Sequence, residues 1–395
     1  MGMHLLGGGR PSPFQGQRRT FPGVVFGRRL RHPRTAPFFL PQTLMGSSIV
    51  LGCMALLILL PSACTGAPEG RRIITLNGAG ATFPLPIYTE WIHLYSQQNP
   101  SVIINYQGIG SGGGQKAILD GTVDFAGSDS PLNEEHYRRM PDLQMLPMVA
   151  GAIVLAYNLE GVDSLVLDGP TAARIFMAEI TRWNDSAIAR LNPDAHLPDA
   201  PITVVHRSDG SGTTEIFTSY LAAVYPEWEE KVGVGKAVEW PVDKAGSGIG
   251  GKGNPGVAHA IQITPNSIGY LELSQALEND IPFADLINAA GKRVRANAET
   301  MQAAMAAMAG AFDERFTARI VNAPGENSWP IMGYTYLILH MEPEDCAKAK
   351  ALADFIRWAI TDEAAARKAA EMGYATLPPE VGERVLEKLA EIRCR

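Results

Sequence analysis

The sequence contains few cysteines and none of the common zinc-binding patterns. Four cysteines occur in 395 residues, and both CxxC and HExxH are absent. The eight histidines are scattered, so no cluster indicates a zinc site. The GxSxG turn that presents the nucleophilic serine of many hydrolases is missing as well. These absences argue against a metalloenzyme and against the commonest type of serine hydrolase.

The first 64 residues contain neither lysine nor any acidic residue, although they hold seven arginines. The rest of the chain therefore carries 27 basic and 41 acidic residues, a formal charge of 27 − 41 = −14. A strongly negative field disfavours nonspecific binding of nucleic acid. Any anion that binds must be held by local dipoles and hydrogen bonds, which predicts a preformed, buried site.

Long apolar runs are absent too. The run from Ile49 to Leu60 is about 12 residues, shorter than the roughly 20 of a membrane-spanning helix but typical of a signal peptide. Small residues then precede Cys64, as in a bacterial lipoprotein processing site, although Pro61 stands where an aliphatic residue is usual. We expect a leader over residues 1–64, with either lipid attachment at Cys64 or plain signal cleavage nearby, and with translation starting at Met1 or Met45.

Two cysteines lie beyond the leader and its processing site, Cys346 and Cys394. They can pair in an oxidising compartment. Their spacing does not establish the geometry that a disulfide needs, so the sequence leaves this pairing open.

From Arg72 onward, short apolar runs alternate with helical patterns, which predicts an α/β fold. The 331 residues after the leader (395 − 64) suggest about two domains. The final helices follow a late strand, so we expect the chain to return to the first domain. The predicted strands are 73–76, 102–106, 123–125, 147–157, 202–205 and 334–340, and the predicted helices are 84–97, 115–120, 171–176, 215–224, 298–311, 346–360, 362–372 and 380–392.

One segment combines arginine, glycines and hydroxyls directly before a predicted helix. It runs from Arg207 to Thr214 and includes Asp209, Ser211, Gly212 and Thr213. A helix N-terminus offers unpaired amides and a partial positive charge, while arginine offers a bidentate fork suited to phosphate. Asp209 cannot face an anion directly, so we interpret it as the partner that holds the Arg207 fork. The alternative is an ordinary capped surface helix.

Two further glycine- or hydroxyl-rich loops precede helices, at 78–83 and 110–112, and each follows a predicted strand. Open α/β sheets bind ligands at that edge, although ordinary turns have the same composition. Asp129 also follows a predicted strand, and the simplest interpretation is a turn or cap residue. If it faces an anion site, its carboxylate would accept a proton from phosphate and repel sulfate, which has none at neutral pH.

Six motifs together resemble the PstS family, the substrate-binding proteins of the bacterial ABC-type phosphate importer. In chain order they are Asn77 to Pro84, Asn105 to Gly113, Ser128 to Leu132, Arg207 to Thr213, Gly250 to Asn254 and Ser267 to Tyr270. They span nearly all of residues 72–395. The resemblance implies a two-lobed, periplasmic-binding-protein-like α/β fold that closes on one phosphate between its lobes, with lobe I at 65–153 plus 336–395 and lobe II at 154–335.

The resemblance also implies roles for individual residues. Thr82 and Phe83 would donate backbone amides, and Ser111 would donate from its hydroxyl and amide. Asp129 would accept the phosphate proton, and Arg207, tethered by Asp209, would make the charged contact. Ser211, Gly212 and Thr213 would supply the N-terminus of the helix that follows Arg207. The implied protein is a monomer without cofactor that passes phosphate to transmembrane permease subunits.

The sequence departs from the family pattern at three places. His206 stands where many relatives carry a second basic residue, Gly112 replaces a common serine, and the loop from Asp243 to Gly248 is longer than usual. These differences leave the principal ligands in place. Two other functions stay open: a receptor for another oxyanion, sulfate or molybdate, and a phosphatase or serine hydrolase using Ser111 or Ser211.

Overall fold

The computed structural model describes residues 73–395, so the leader and Cys64 lie outside the described residues. The strands are β1 Ile74–Gly80, β2 Val102–Gly108, β3 Phe125–Ser128, β4 Leu143–Asn158, β5 Val166–Asp168, β6 Thr203–Arg207, β7 Gly248–Gly251, β8 Ser267–Glu272, β9 Asp285–Ile287, β10 Arg293–Val294, β11 Arg319–Val321, β12 Ile331–His340 and β13 Tyr374–Thr376. The helices are α1 Leu85–Gln98, α2 Ser111–Leu119, α3 Glu134–Arg139, α4 Gly169–Phe176, α5 Ser186–Leu191, α6 Gly212–Val224, α7 Pro226–Lys231, α8 Pro241–Lys244, α9 Gly253–Ile263, α10 Leu273–Glu278, α11 Ala298–Ala307, α12 Cys346–Thr361, α13 Glu363–Glu371 and α14 Pro379–Ala390.

Two groups of parallel strands are joined through two long antiparallel strands. In the main sheet of the described chain the order is β2-β1-β3-β12-β4-β8-β6-β7, with β11 added to β12 and β13 to β4. We call β2-β1-β3 with its helices the β1 half, and β8-β6-β7 with its helices the β6 half. Because β4 and β12 run through the centre, both halves belong to one mixed α/β sheet. A smaller sheet, β10-β9-β5, lies apart from it.

The central strands are apolar because both of their faces are covered. Nearly every residue of β4 and β12 is buried, as expected for strands that cross the core. In α1 the predicted stripe buries Tyr88, Trp91 and Tyr95, and Ile92 packs partly buried against the same core. Hydrophobic periodicity therefore predicted these elements correctly.

Two helix starts differ from the prediction by three or more residues, and both differences lie at the predicted anion loops. The second helix was expected to begin at Gln115, but α2 begins at Ser111 and includes three glycines. A Cβ on Gly114 would lie 2.6 Å from the Cα of Gly80, so glycine allows this helix to pack directly on β1. The third was expected to begin at Glu215, but α6 begins at Gly212 because the Ser211 hydroxyl caps it. Both loops therefore form part of the first helical turn.

Other boundaries also moved. The expected strand at 123–125 is the later β3, Phe125–Ser128, which ends directly before Asp129. The expected helix at 298–311 ends at Ala307.

The pairing that the sequence left open is a disulfide between Cys346 and Cys394, with 5.6 Å between the two Cα atoms, and it joins the start of α12 to the C-terminal segment.

Within residues 73–395, no helix combines the length and apolar character that a membrane span requires.

Candidate functional site

Arg207 ends β6 and is held in place by Asp209. The guanidinium donates from Nε to Asp209 Oδ1 over 2.8 Å and from Nη2 to Oδ2 over 2.6 Å. Its Nη1 donates to the Thr213 hydroxyl over 3.3 Å. The Arg207 side chain is 1% exposed. Because a guanidinium carries five N–H groups, one hydrogen on each terminal nitrogen remains for a ligand.

Asp209 is charged because its partners outweigh its burial. Burial raises the pKa of its carboxyl, but the hydrogen bonds and charge of Arg207 and the amide of Gly253 lower that pKa below its usual value. The pair is therefore a buried ion pair, whose rigid geometry keeps the arginine fork in one orientation.

The N-terminus of α6 lies beside this fork. The hydroxyl of Ser211 accepts a hydrogen bond from the Thr214 amide over 3.1 Å, and the Ser211 amide donates to the carbonyl of Lys236 over 2.9 Å. The first-turn amides of Gly212 and Thr213 cannot find partners inside the helix. They donate to no other described residue either. These two amides and the helix dipole favour an anion at this position.

The loop between β1 and α1 supplies the next two predicted residues. The Thr82 hydroxyl accepts a hydrogen bond from the Asn254 amide over 3.0 Å, and the Phe83 carbonyl accepts one from the Tyr374 hydroxyl over 2.8 Å. The amides of Thr82 and Phe83 donate to no described residue. Both side chains are buried, so these amides are fixed donors at the start of a helix.

Ser111 and Asp129 form a buried pair in the β1 half. The Ser111 hydroxyl donates to Asp129 Oδ2 over 3.2 Å and lies 3.1 Å from the Asp129 amide, which donates to it. The hydroxyl of Thr335 donates to the other oxygen, Oδ1, over 2.8 Å. Burial raises the pKa of Asp129 to about 7, against the lowering effects of Thr335, Arg207 and Ser111. This carboxyl can therefore exchange a proton near neutral pH.

The two halves meet at these residues. A Cβ added to Gly212 would lie 2.6 Å from both the Cβ of Asp129 and the hydroxyl of Ser111, so α6 starts directly against the pair. The Gly112 amide also donates to the Gly210 carbonyl over 2.9 Å. The structure thus brings the predicted residues together where the two halves meet. These residues are Thr82 and its neighbour Phe83, Ser111, Asp129, Arg207, Asp209, Ser211, Gly212 and Thr213.

Sequence reasoning missed three polar residues here. Asn254 is the second residue of α9, and its side-chain amide donates to the Thr213 hydroxyl over 3.2 Å. The Tyr270 hydroxyl accepts from the Arg207 amide over 3.2 Å and shares a hydrogen bond with Thr214 over 2.6 Å. Thr335 is the third. Each had a signal in the sequence: Asn254 and Tyr270 lie in two of the six family motifs, and Thr335 carries a hydroxyl within the apolar run of β12.

Two further observations describe the surroundings of Ser111 and Ser211. Across the described residues, no group of three or more His, Cys, Asp or Glu side chains could hold a metal. His206, the histidine nearest to Ser211 in the sequence, contacts Asp243 through Nε2 over 2.8 Å and the Arg207 carbonyl through Nδ1 over 3.0 Å. Both of its ring nitrogens are therefore engaged away from Ser111 and Ser211. What the site presents is a set of fixed donors around one titratable carboxyl.

Comparison with protein families gives a match over residues 65–363, to a model described as a PBP superfamily domain. A phosphate-binding protein PstS of Xylella fastidiosa is 40% identical over 319 residues, which cover 80% of this chain and 85% of the relative. One from Pasteurella multocida is 42% identical over 313 residues, 79% of this chain and 88% of the relative. One from Methanocaldococcus jannaschii is 37% identical over 364 residues, 85% of this chain and 92% of the relative.

Solved structures show the same fold. A high-affinity periplasmic phosphate-binding protein bound with phosphate, PfluDING, superposes with a TM-score of 0.63 at 22% identity, covering 79% of this chain and 93% of that one. A phosphate-binding protein from Stenotrophomonas maltophilia gives a TM-score of 0.59 at 19% identity, with the same coverages of 79% and 93%. The described residues therefore have the periplasmic-binding-protein-like fold that the sequence predicted.

Proposed function

Because this chain belongs to the PstS family of phosphate-binding proteins, we propose that it binds inorganic phosphate between its two halves and delivers it to an ABC-type import permease. One observation carries the proposal: the N-terminus of α6 in one half meets the Ser111–Asp129 pair of the other half, and Asp129 is a buried carboxyl with a pKa of about 7. A ligand that fits this site is an oxyanion that still carries a proton. Phosphate at neutral pH is such a ligand.

Each predicted residue has a role in this proposal. The amides of Thr82 and Phe83 and the hydroxyl and amide of Ser111 donate from the β1 half. The two remaining hydrogens of the Arg207 fork donate from the β6 half, and Asp209 keeps that fork in place. The free amides of Gly212 and Thr213 at the start of α6 complete the set. For Ser211, whose amide already donates to Lys236, the proposal rests on its capping of α6.

Asp129 gives the proposed selectivity. As a carboxylate it accepts a hydrogen bond from protonated phosphate, whereas a fully ionised sulfate would face it without a proton between them. Leaving a buried polar group without its hydrogen-bond partner costs a few kcal/mol, which is enough for a large preference for phosphate over sulfate. Another oxyanion is the alternative ligand, and the same carboxyl argues against sulfate and molybdate.

The proposed lobes follow the two halves. Lobe I comprises residues 65–153 and 336–395, lobe II comprises residues 154–335, and β4 and β12 cross between them. Hydrogen bonds from Gly112 to Gly210 and from Asn254 to Thr82 join the lobes, which supports a closed, ligand-retaining arrangement. Opening would break them, so closure and binding would be coupled, and a permease could distinguish the closed form.

The proposal places the protein outside the cytoplasmic membrane, where it acts as a monomer. Residues 1–64 would direct export, and a lipid on Cys64 would anchor the protein to the membrane. The support is the apolar run from Ile49 to Leu60 and the small residues before Cys64.

Calorimetric titration of the purified protein with phosphate and with sulfate at pH 7 tests the proposed binding. We expect tight one-to-one binding of phosphate and far weaker binding of sulfate, measured by its competition with phosphate. Arg207→Lys should weaken phosphate binding at least about tenfold because lysine lacks the planar fork. Arg182→Lys is the matched control, since Arg182 is half-exposed in a surface pair with Asp199. No phosphate binding by the folded protein would overturn the proposal.

A further inference from the structure

The two oxygens of Asp129 have different surroundings. Oδ2 faces the proposed anion site: the Ser111 hydroxyl lies 3.2 Å away, and a Cβ on Gly212 would lie 2.8 Å from it. Oδ1 points toward the central strand, where it accepts the Thr335 hydroxyl over 2.8 Å. One oxygen of the Asp129 carboxyl therefore faces the proposed ligand, and the other accepts the Thr335 hydroxyl.

Thr335 reaches Asp129 because β12 pairs antiparallel with β3: Tyr336 lies opposite Ser128, so Thr335 comes beside Asp129, the residue that follows β3. The register of β12 against β4 shifts between Thr335 and Tyr336. Such irregularities change the direction of side chains and are common beside functional sites. Thr335 is fully buried, and Asp129 is 5% exposed, so no bulk water competes for this hydrogen bond.

We propose that Thr335 is a positioning residue for the phosphate binding proposed above: it directs Oδ2 of an ionised Asp129 at the ligand and so sets the preference for a protonated oxyanion. The inference rests on that proposed function. Thr335 does not contact the ligand in this proposal and acts only through Asp129.

The physical reason lies in where Thr335 donates its one hydroxyl hydrogen. The single hydroxyl hydrogen of Thr335 is donated to Oδ1, which satisfies that oxygen as a carboxylate acceptor. Without this hydrogen, Oδ1 would be a buried anionic oxygen lacking a donor, and the carboxyl would take up a proton more readily. A protonated Asp129 is a hydrogen-bond donor, which suits sulfate and no longer accepts the phosphate proton.

Other charged and titratable groups face Asp129 from each neighbouring element. Arg207 in β6 lowers the pKa of Asp129, and Glu215 in α6 raises it. Burial raises the pKa of the nearby tyrosines, so they stay neutral at pH 7; these are Tyr88, Tyr106 and Tyr336. Replacing Thr335 by valine, which has nearly the same shape, removes the hydroxyl and alters none of these charges.

The test titrates Thr335→Val with phosphate and sulfate from pH 6 to pH 9, with Thr335→Ser as the variant that keeps the hydroxyl. We expect Thr335→Val to reduce the ratio of phosphate to sulfate affinity by roughly tenfold or more, the effect of losing one hydrogen bond to a charged group. The low-pH limb of the phosphate affinity profile should move to higher pH. Thr335→Ser should restore both the ratio and the profile.

A third variant and a double variant make the result decisive. Thr335→Ala, which cannot clash, replaces Thr335→Val if the latter fails to fold by circular dichroism. In an Asp129→Asn background, Thr335→Val should leave the affinity ratio unchanged. Equal losses for phosphate and sulfate with an unmoved pH profile would overturn the inference, as would an unchanged Thr335→Val. Failure of the unmutated protein to bind phosphate would instead overturn the proposed function, and the inference with it.

Discussion

The Thr82 hydroxyl accepts a hydrogen bond from the backbone amide of Asn254 over 3.0 Å, although 172 residues separate them in the chain. Thr82 belongs to the β1 half, and Asn254 lies in the first turn of α9 in the β6 half. The Asn254 side chain also donates to the Thr213 hydroxyl over 3.2 Å. One asparagine therefore connects the two loops that supply the proposed phosphate donors.

Asn254→Ala should weaken phosphate binding roughly tenfold, because it removes the side-chain hydrogen bond that orients Thr213 and stabilises the contact between the halves. Calorimetry measures this directly. Asn279→Ala is the control, since the Asn279 side chain donates within its own helix region, to the Gln275 carbonyl over 2.8 Å. Equal phosphate affinities for Asn254→Ala and the unmutated protein would show that this contact does not contribute to binding.

Gly212→Ala should abolish tight phosphate binding, with an affinity loss on the order of 100-fold. The added Cβ would lie 2.6 Å from Ser111 Oγ and from Asp129 Cβ, so the halves could not come together as they do here. Gly210→Ala is a close control, because its Cβ would make an ordinary contact at 3.4 Å. Unfolding temperatures confirm that both variants are folded. Phosphate affinity retained in Gly212→Ala would contradict the closed geometry.

Asp209→Asn should lower the free energy of unfolding by about 3 kcal/mol in phosphate-free buffer, because it leaves the buried Arg207 charge uncompensated. Saturating phosphate should narrow this difference, since the bound anion then faces the same guanidinium. The exposed pair of Arg182 and Asp199 provides the comparison, and Asp199→Asn should cost at most about 1 kcal/mol. Urea unfolding with and without phosphate gives all four values. An equal loss in both buffers would mean that phosphate does not approach Arg207.

Glu272→Gln should become progressively more stable than the unmutated protein as the pH rises. The Glu272 carboxylate is fully buried, and its Oε1 has no hydrogen-bond partner among residues 73–395. Burial raises its pKa to about 8, against the lowering effects of Ser274 and Tyr374. The stability linked to this proton is thus fully present below the ordinary pKa of about 4.5 and is lost as the pH rises through 8.

The measurement for Glu272 is denaturant unfolding from pH 5 to pH 9, compared with Glu272→Gln. The difference in unfolding free energy should change by a few kcal/mol, on the order of 4, in favour of glutamine at high pH. Glu363→Gln, at an exposed helix surface, should differ by no more than about 0.5 kcal/mol throughout. A constant difference for Glu272→Gln would show that this carboxyl does not take up a proton on folding.

Local chemistry predicted much of the fold but not its long-range contacts. The stripe of Tyr88, Trp91 and Tyr95 defined α1 because hydrophobic period and burial agree. The start of α2 was missed because glycines normally oppose helix, and here they allow close packing against β1. Propensity cannot reveal a neighbour that only the folded chain brings near.

The contacts of the candidate site also divide into those that the sequence could predict and those that it could not. Arg207 and Asp209 lie two residues apart, so their pairing could be inferred from the sequence and is present in the structure. The contact of Thr335 with Asp129 depends on the antiparallel register of β12 against β3 and on the order of strands in the sheet. Sequence patterns specify which face a strand residue occupies but not which strand lies beside it. That contact therefore had to come from the structure.

The most direct test of the account is calorimetry of Asp129→Asn beside the unmutated protein, with phosphate and sulfate at pH 7. We predict that the unmutated protein binds phosphate and rejects sulfate, and that Asp129→Asn gains sulfate affinity by at least about tenfold because the asparagine amide can donate to an unprotonated anion. If sulfate remains excluded from Asp129→Asn, or binds the unmutated protein as tightly as phosphate does, Asp129 is not the proton acceptor that selects the ligand.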